Sequence, residues 1–265
     1  MSMRALLRAS LLWLSGLCGC LGVSGGSLEA QTLRIAAASD LRWVLEDVRT
    51  VFQKEHPSVR ITMTYGSSGN FYSQLLNKAP FDLFLSADVN YPENLVRQGL
   101  GVKDSLFVYG IGRVVLWVPN ASPIAVEKLG LAALKQPSVK KIALANPRHA
   151  PYGRAAEAAL RKAGLWDGLQ DKLVLGENIS QTAQFTQTGA ADIGFIALSL
   201  VSAGPLKDQG RWWMIPQEDH PLMEQGGVIL AWAQDPVVAR AFRDFMLSAK
   251  GSEILKKHGF SGKAK

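Results

Sequence analysis

Leu33-Arg34-Ile35-Ala36-Ala37-Ala38-Ser39-Asp40-Leu41-Arg42-Trp43-Val44-Leu45-Glu46-Asp47-Val48-Arg49-Thr50-Val51-Phe52 is the stretch that decides the fold. Residues 33–38 form a short apolar run and read as a strand. Ser39-Asp40 then offers short polar side chains of the kind that open a helix. Leu41, Val44, Leu45, Val48 and Phe52 recur at three- and four-residue spacing and read as one helical face. A strand followed at once by an amphipathic helix is the repeating unit of an α/β protein.

The unit recurs downstream. His56-Pro57 stops the first helix, residues 59–65 alternate as a second strand, and Gly66-Ser67-Ser68-Gly69 turns the chain into a helix around 71–77. Residues 81–85 read as a third strand, ending at Ser86-Ala87-Asp88 before a helix near 92–98. Val114-Val115-Leu116-Trp117-Val118 is apolar on both faces, which places it inside a sheet. A helix near 125–134, a strand at 141–145, the loop 146–153 and a helix at 154–162 follow. Then come a strand at 173–175, the turn Glu177-Asn178-Ile179-Ser180, a helix near 181–188 and strands at 193–198 and 227–232. A helical region covers 235–258. The pattern predicts mostly parallel sheets flanked by helices.

The chain has 265 residues, 48% hydrophobic and 8% aromatic, which excludes a disordered or collagen-like polymer, and its two cysteines are too few for a disulfide-stapled miniprotein. This length suits one large domain or two lobes of roughly 110 to 120 residues, each able to bury its own core. No repeat, heptad or low-complexity linker occurs, so two lobes would be joined by strand crossings rather than a tether. The expected division is residues 31–110 plus 223–265 for one lobe and 111–222 for the other.

The first thirty residues are set apart. Arg4 and Arg8 precede an apolar stretch, 9–23, broken by Ser15, Gly16 and Gly19, which reads as an export signal. Its uninterrupted part falls short of the ~20 residues a membrane span needs. Two processing routes are open. Cleavage after Leu28-Glu29-Ala30 would release a chain starting at Gln31, whereas Leu17-Cys18-Gly19-Cys20 resembles a lipoprotein box that would end the signal at residue 19 and leave Cys20 lipidated. Cleavage after Ala30 removes both cysteines, which excludes thiol catalysis and Cys-ligated zinc. It also removes Arg4, Arg8 and Glu29, so the net charge of +7 falls only to +6. A basic excess of this size admits nucleic acid, membrane surfaces or anionic ligands as partners.

Spacing argues against an enzyme. A nucleophile elbow centred on Ser68 would need glycine where Asn70 stands. His56, His149, His220 and His258 are scattered without metal-ligand spacing and read as surface or cap residues, with His149 the least easily dismissed because it lies in a Pro-bounded loop. What recurs is a strand ending in a small or hydroxyl-rich turn that opens a helix, at Ser39, at Ser67-Ser68, and less clearly at Tyr152-Gly153 and Ile179-Ser180. Any one such turn is an ordinary helix start. Four of them, divided between the two halves of the chain, point to a cleft for a small oxyanion held by backbone N–H groups and helix dipoles.

The residues that carry a resemblance are Ala36-Ala37-Ala38-Ser39-Asp40, Tyr65-Gly66-Ser67-Ser68-Gly69, Ala79-Pro80-Phe81-Asp82-Leu83-Phe84-Leu85-Ser86-Ala87-Asp88 and Asn146-Pro147-Arg148-His149-Ala150-Pro151-Tyr152-Gly153. With Gly176-Glu177-Asn178-Ile179-Ser180-Gln181 and Gly189-Ala190-Ala191-Asp192-Ile193-Gly194-Phe195, they resemble the periplasmic molybdate-binding proteins of ABC importers, in order and over nearly all of 32–262. The resemblance implies a two-lobed α/β periplasmic-binding-protein fold of type II. It also implies closure on molybdate or tungstate, delivery to a membrane permease, action as a monomer, and no cofactor. It places ligand hydroxyls and amides at Ser39 and Ser68, with Ser67 beside them, and the Ile179 backbone amide opposite. The ligand tyrosine of the best-known pattern falls here on Ala197. A subset of the family carries a tyrosine in the Pro-x-Gly loop, which assigns Tyr152 as a relocated hydroxyl donor. Asp40 is expected to cap the first helix with its charge turned away, leaving its backbone N–H for the ligand.

Molybdate is a tetrahedral dianion at neutral pH whose oxygens only accept hydrogen bonds. Hydroxyls and N–H groups meet that need without the desolvation cost of an internal ion pair, and no residue need ligate the metal atom. Phosphate keeps a proton near neutral pH and would want an acceptor in the cleft. Sulfate has the same charge and shape as molybdate but is smaller, so cavity size must reject it. Sulfate and small organic solutes are the alternative ligands. A site of neutral dipoles makes no use of the basic excess, which is assigned to the solvated surface, and no nucleic-acid partner is expected.

Overall fold

Residues 31–262 are described by the structure, a computed structural model. The export signal, its two processing routes and Cys20 lie outside the described residues. The strands in chain order are β1 (Thr32–Ala38), β2 (Arg60–Gly66), β3 (Leu83–Ser86), β4 (Phe107–Ile111), β5 (Val114–Pro119), β6 (Ile142–Ala145), β7 (Leu173–Gly176), β8 (Ile193–Ala197), β9 (Gly210–Met214) and β10 (Glu224–Ile229). The helices are α1 (Arg42–Glu55), α2 (Ser68–Leu76), α3 (Asn90–Arg97), α4 (Val126–Leu129), α5 (Pro151–Lys162), α6 (Ile179–Gln187), α7 (Leu198–Ser202), α8 (Pro236–Leu247) and α9 (Ala249–Lys257).

The strands form two five-stranded sheets, ordered β2-β1-β3-β10-β4 and β7-β6-β8-β5-β9. The predicted α/β two-lobed architecture is present, but the sheets are mixed rather than mostly parallel. In the first, β2, β1 and β3 pair in parallel and β10 runs antiparallel to both β3 and β4. In the second, β7, β6 and β8 are parallel and β5 runs antiparallel to both β8 and β9. The reversed strands are the ones that follow each crossing between sheets: the chain leaves the first sheet after β4, enters the second at β5, and returns at β10. β4 and β9 are edge strands with no clear apolar alternation, which is why the periodicity of the sequence did not announce them.

Local packing follows the sequence pattern. Leu41, Val44, Leu45, Val48 and Phe52 are all buried, and Phe52 meets Phe242 and Phe245 of α8 edge-on. Val114, Val115, Leu116, Trp117 and Val118 are likewise buried, with Ile142, Leu144, Phe195 and Ile196 in the same core cluster. α5 begins earlier than the pattern suggested. Pro151 takes the first helical turn, where its missing N–H costs nothing, and this draws Tyr152 and Gly153 out of the loop into the helix.

Asp82 ties the first sheet together. Its buried carboxylate accepts from Arg34 N, Nε and Nη2 at 2.8, 3.0 and 2.8 Å and from Gln234 N at 2.8 Å, so β1, the start of β3 and the chain after β10 share one anion. Burial alone would raise its pKa, but the Arg34 side chain and the N–H groups of Gln234 and Arg34 outweigh it and hold the carboxyl below the ordinary aspartate value.

The crossing segments lie side by side, with Gly112 N donating to Met223 O at 3.0 Å. Gly112 is glycine for clearance. A Cβ there would sit 2.6 Å from Tyr152 Oη and closer still to Gln225 Nε2, two groups of the site described next.

Candidate functional site

Four helix starts converge between the sheets. The turn at Ser39–Leu41 that leads into α1, and the first turns of α2, α5 and α6, surround a small cavity of about 10 Å³. It is lined by Ser39, Asp40, Ser67, Ser68, Tyr152 and Ile179, together with small or apolar residues, and neither Lys nor Arg is among its lining. All six residues singled out in the sequence therefore face one space, and all six are buried.

The hydroxyls differ in what they have left to give. Ser68 Oγ accepts from Ala87 N at 3.0 Å, which turns its proton away from β3 and leaves it free to donate. Ser39 Oγ accepts from Ser180 N at 3.3 Å, with the same consequence. Ser67 is engaged locally: it caps α2 by accepting from Asn70 N at 3.4 Å, and its Oγ lies 3.0 Å from His149 Nδ1. At α6, Asn178 caps the helix by accepting from Ser180 N and Gln181 N, while Ile179 N has no protein acceptor among the described residues. Ser68 N is in the same position, since the next N–H groups of α2 go to His149 O and Ser67 Oγ.

Tyr152 points inward, yet its proton is committed. Its hydroxyl donates to Asp40 Oδ2 at 2.9 Å and accepts from Gln225 Nε2 at 3.0 Å, and Gln225 Nε2 also donates to Asp40 Oδ2 at 2.8 Å. Tyr109 Oη lies within hydrogen-bond reach of Gln225 Oε1, at 3.0 Å, and of Ser86 O, at 2.9 Å. Asp40 thus departs from its expected role: the turn it sits in has no side-chain cap, and its carboxylate is folded into the wall of the cavity rather than turned away. The reason is that two neutral donors, one from each side of the cleft, satisfy Oδ2. Oδ1 has no hydrogen-bond partner among the described residues. Burial pushes the Asp40 carboxyl up to about 6, against the pull of Gln225 and Tyr152, and burial beside Asp40 holds the Tyr152 phenol well above its ordinary value.

Further bonds close the cleft around the cavity. Gly69 N donates to His149 O at 2.9 Å, Ser180 Oγ to Ser39 O at 2.9 Å and Ser199 Oγ to Asp40 O at 2.8 Å. Arg154 pairs with Asp88 at 2.7 Å and lies over the Tyr91 ring. His149 Nε2 is 3.5 Å from Glu177. The sequence reading missed Gln225, Tyr109, Ser199 and Arg154. The one local signal was Gln225 itself, a bulky polar residue inside the strand Glu224-Gln225-Gly226-Gly227-Val228-Ile229.

The family model of bacterial extracellular solute-binding proteins matches residues 33–261. The molybdate-binding protein ModA of Azotobacter vinelandii is 37% identical over 239 residues, 90% of this chain and 93% of the relative. The protein of the same name from Rhodobacter capsulatus is 38% identical over 200 residues, covering 76% of this chain and 77% of that one. Among solved structures, the Azotobacter vinelandii periplasmic molybdate-binding protein superposes with a TM-score of 0.82 at 31% identity, over 88% of this chain and all of the other.

Proposed function

This chain belongs to the bacterial extracellular solute-binding proteins, and from that premise we propose that it captures molybdate outside the cytoplasm and delivers it to the membrane permease of an ABC importer. Tungstate, with the same charge and shape, is the companion ligand. The observation that carries the reading is the convergence of four helix starts on one small cavity whose free donors come from both sides of the cleft. Helix N-termini favour a negative charge and their first N–H groups lack intrahelical partners. In this reading Ser39 and Ser68 donate hydroxyl protons and Ser68 and Ile179 donate backbone N–H groups. Tyr152 lines the space and braces Asp40, and Ser67 supports through His149. The protein acts as an exported monomer, released after residue 30 or anchored through Cys20. Among the described residues no helix is long and apolar enough to cross a membrane.

Ligand capture draws the two sheets together about the crossings at 112–113 and 215–223, and the oxyanion bridges them. A thermal-shift panel tests the assignment: molybdate and tungstate raise the melting temperature, whereas sulfate, phosphate and amino acids leave it near that of the protein alone. Stabilisation by phosphate in preference to molybdate would overturn it, because phosphate would use the Asp40 carboxylate as an acceptor.

Closure makes a demand on Gly69. A Cβ there would lie 2.6 Å from His149 O and 2.9 Å from both His149 Cα and Tyr91 Oη, so α2 meets the 146–150 loop only because the side chain is absent. Overpacking of this kind costs about 1–3 kcal/mol. Gly69→Ala is therefore expected to weaken molybdate binding by roughly ten- to a hundredfold in calorimetry. Small-angle scattering with molybdate should report a more open particle than wild type.

A further inference from the structure

The cavity that must receive a dianion has a buried carboxylate in its wall. Asp40 Oδ2 is occupied by Tyr152 and Gln225, while Oδ1 is buried and has no partner among the described residues. An ionised carboxylate beside a doubly charged oxyanion in a site without Lys or Arg in its lining is repulsive, and the groups that favour it, Gln225, Tyr152 and the backbone N–H groups of Asp40 and Leu41, do not offset its burial. Protonation removes the repulsion, because Asp40, which lines the cavity, gains an O–H donor at Oδ1 while Oδ2 keeps both of its bonds. We propose that Asp40 binds the oxyanion as a carboxylic acid: capture of a dianion takes up one proton from solution onto Oδ1, which then donates to an oxyanion oxygen. This rests on the molybdate reading above.

The surroundings permit it. From α5 and β4 the titratable neighbours are Tyr152 and Tyr109, both held in the phenol form by burial. From β10 the neighbour is the neutral amide of Gln225, with Glu224 next in the chain. α6 and α7 bring the Ser180 and Ser199 hydroxyls and have no charged residue in their sequences. α1 brings Arg42, which follows the turn, yet no Lys, Arg or His makes an ion pair or hydrogen bond with the carboxylate among the described residues. The free carboxyl, already lifted to about 6 by burial, stands close to the working range, and the arriving negative charge lifts it further.

The uptake is read by titration calorimetry with sodium molybdate at pH 7.5 in buffers of different ionisation enthalpy. The wild type is expected to take up close to one proton per molybdate, with affinity falling about tenfold per pH unit between 7 and 8 and levelling off below about 6. Asp40→Asn, which presents an amide donor without a titration, is expected to take up none and to bind with a flat pH profile. Molybdate binding by the wild type with no proton uptake and a flat profile overturns the proposal and leaves the molybdate reading standing. No molybdate binding at any pH overturns both. Phosphate binding that is tighter than molybdate and without proton uptake makes Asp40 an acceptor and also overturns it. Should Asp40→Asn fail to fold, judged by its melting curve, the buffer dependence of the wild type decides alone.

Discussion

The double variant Ser39→Ala/Ser68→Ala is expected to lose molybdate affinity by about a hundredfold to ten-thousandfold, since each hydroxyl donates to an ionised acceptor and such bonds are worth roughly 1.5–3 kcal/mol. The two residues share one ligand, so the single variants, each expected at about tenfold to a hundredfold, need not add. The fold should persist. What each change removes from the protein itself is one acceptor, for Ala87 N in one case and Ser180 N in the other. Calorimetry on the folded variants decides. Affinity equal to wild type would mean that the oxyanion sits elsewhere.

The second large effect concerns stability. Asp82→Ala is expected to destabilise the protein by about 1.5–3 kcal/mol or more, the worth of a hydrogen bond to a charged group, since the carboxylate is buried while Arg34 keeps partial access to solvent. Three consequences combine: the Arg34 guanidinium loses its counter-ion, Arg34 N and Gln234 N lose their acceptor, and the junction of β1, β3 and the chain after β10 loses its common anchor. The sign with pH follows from the depressed carboxyl. A carboxylate held below its ordinary value contributes stability above about pH 4, and that contribution disappears as the folded-state group becomes protonated. Urea denaturation should therefore give a wild-type-to-variant gap that is widest near pH 7 and narrows below about pH 4. A gap that is small at pH 7 would show that the pair does not anchor the sheet.

Much of this was legible in the sequence because it is local. The period of Leu41, Val44, Leu45, Val48 and Phe52 marked a buried helix face, and small hydroxyl residues at strand ends marked the helix starts that meet at the cavity. The edge strands β4 and β9 were not legible, since they carry no clean alternation. The direction of Asp40 was hidden for a different reason. Its carboxylate answers to Tyr152 and Gln225, 112 and 185 residues away, and no local pattern encodes a hydrogen bond at that separation. The same holds for the contact of Ser67 Oγ with His149 Nδ1, which joins residues 82 apart in sequence. Sequence identified who stands at the cavity. The structure adds which of those groups already bond to other parts of the chain.

The central claim is that molybdate sits in the cavity where the four helix starts meet. Anomalous diffraction from crystals grown with molybdate, recorded at the molybdenum absorption edge, tests it most directly. The account predicts one dominant peak enclosed by Ser39, Ser68, Tyr152 and Ile179, with Asp40 in its wall. A dominant peak anywhere else, or no ordered molybdenum at saturating ligand, would contradict it.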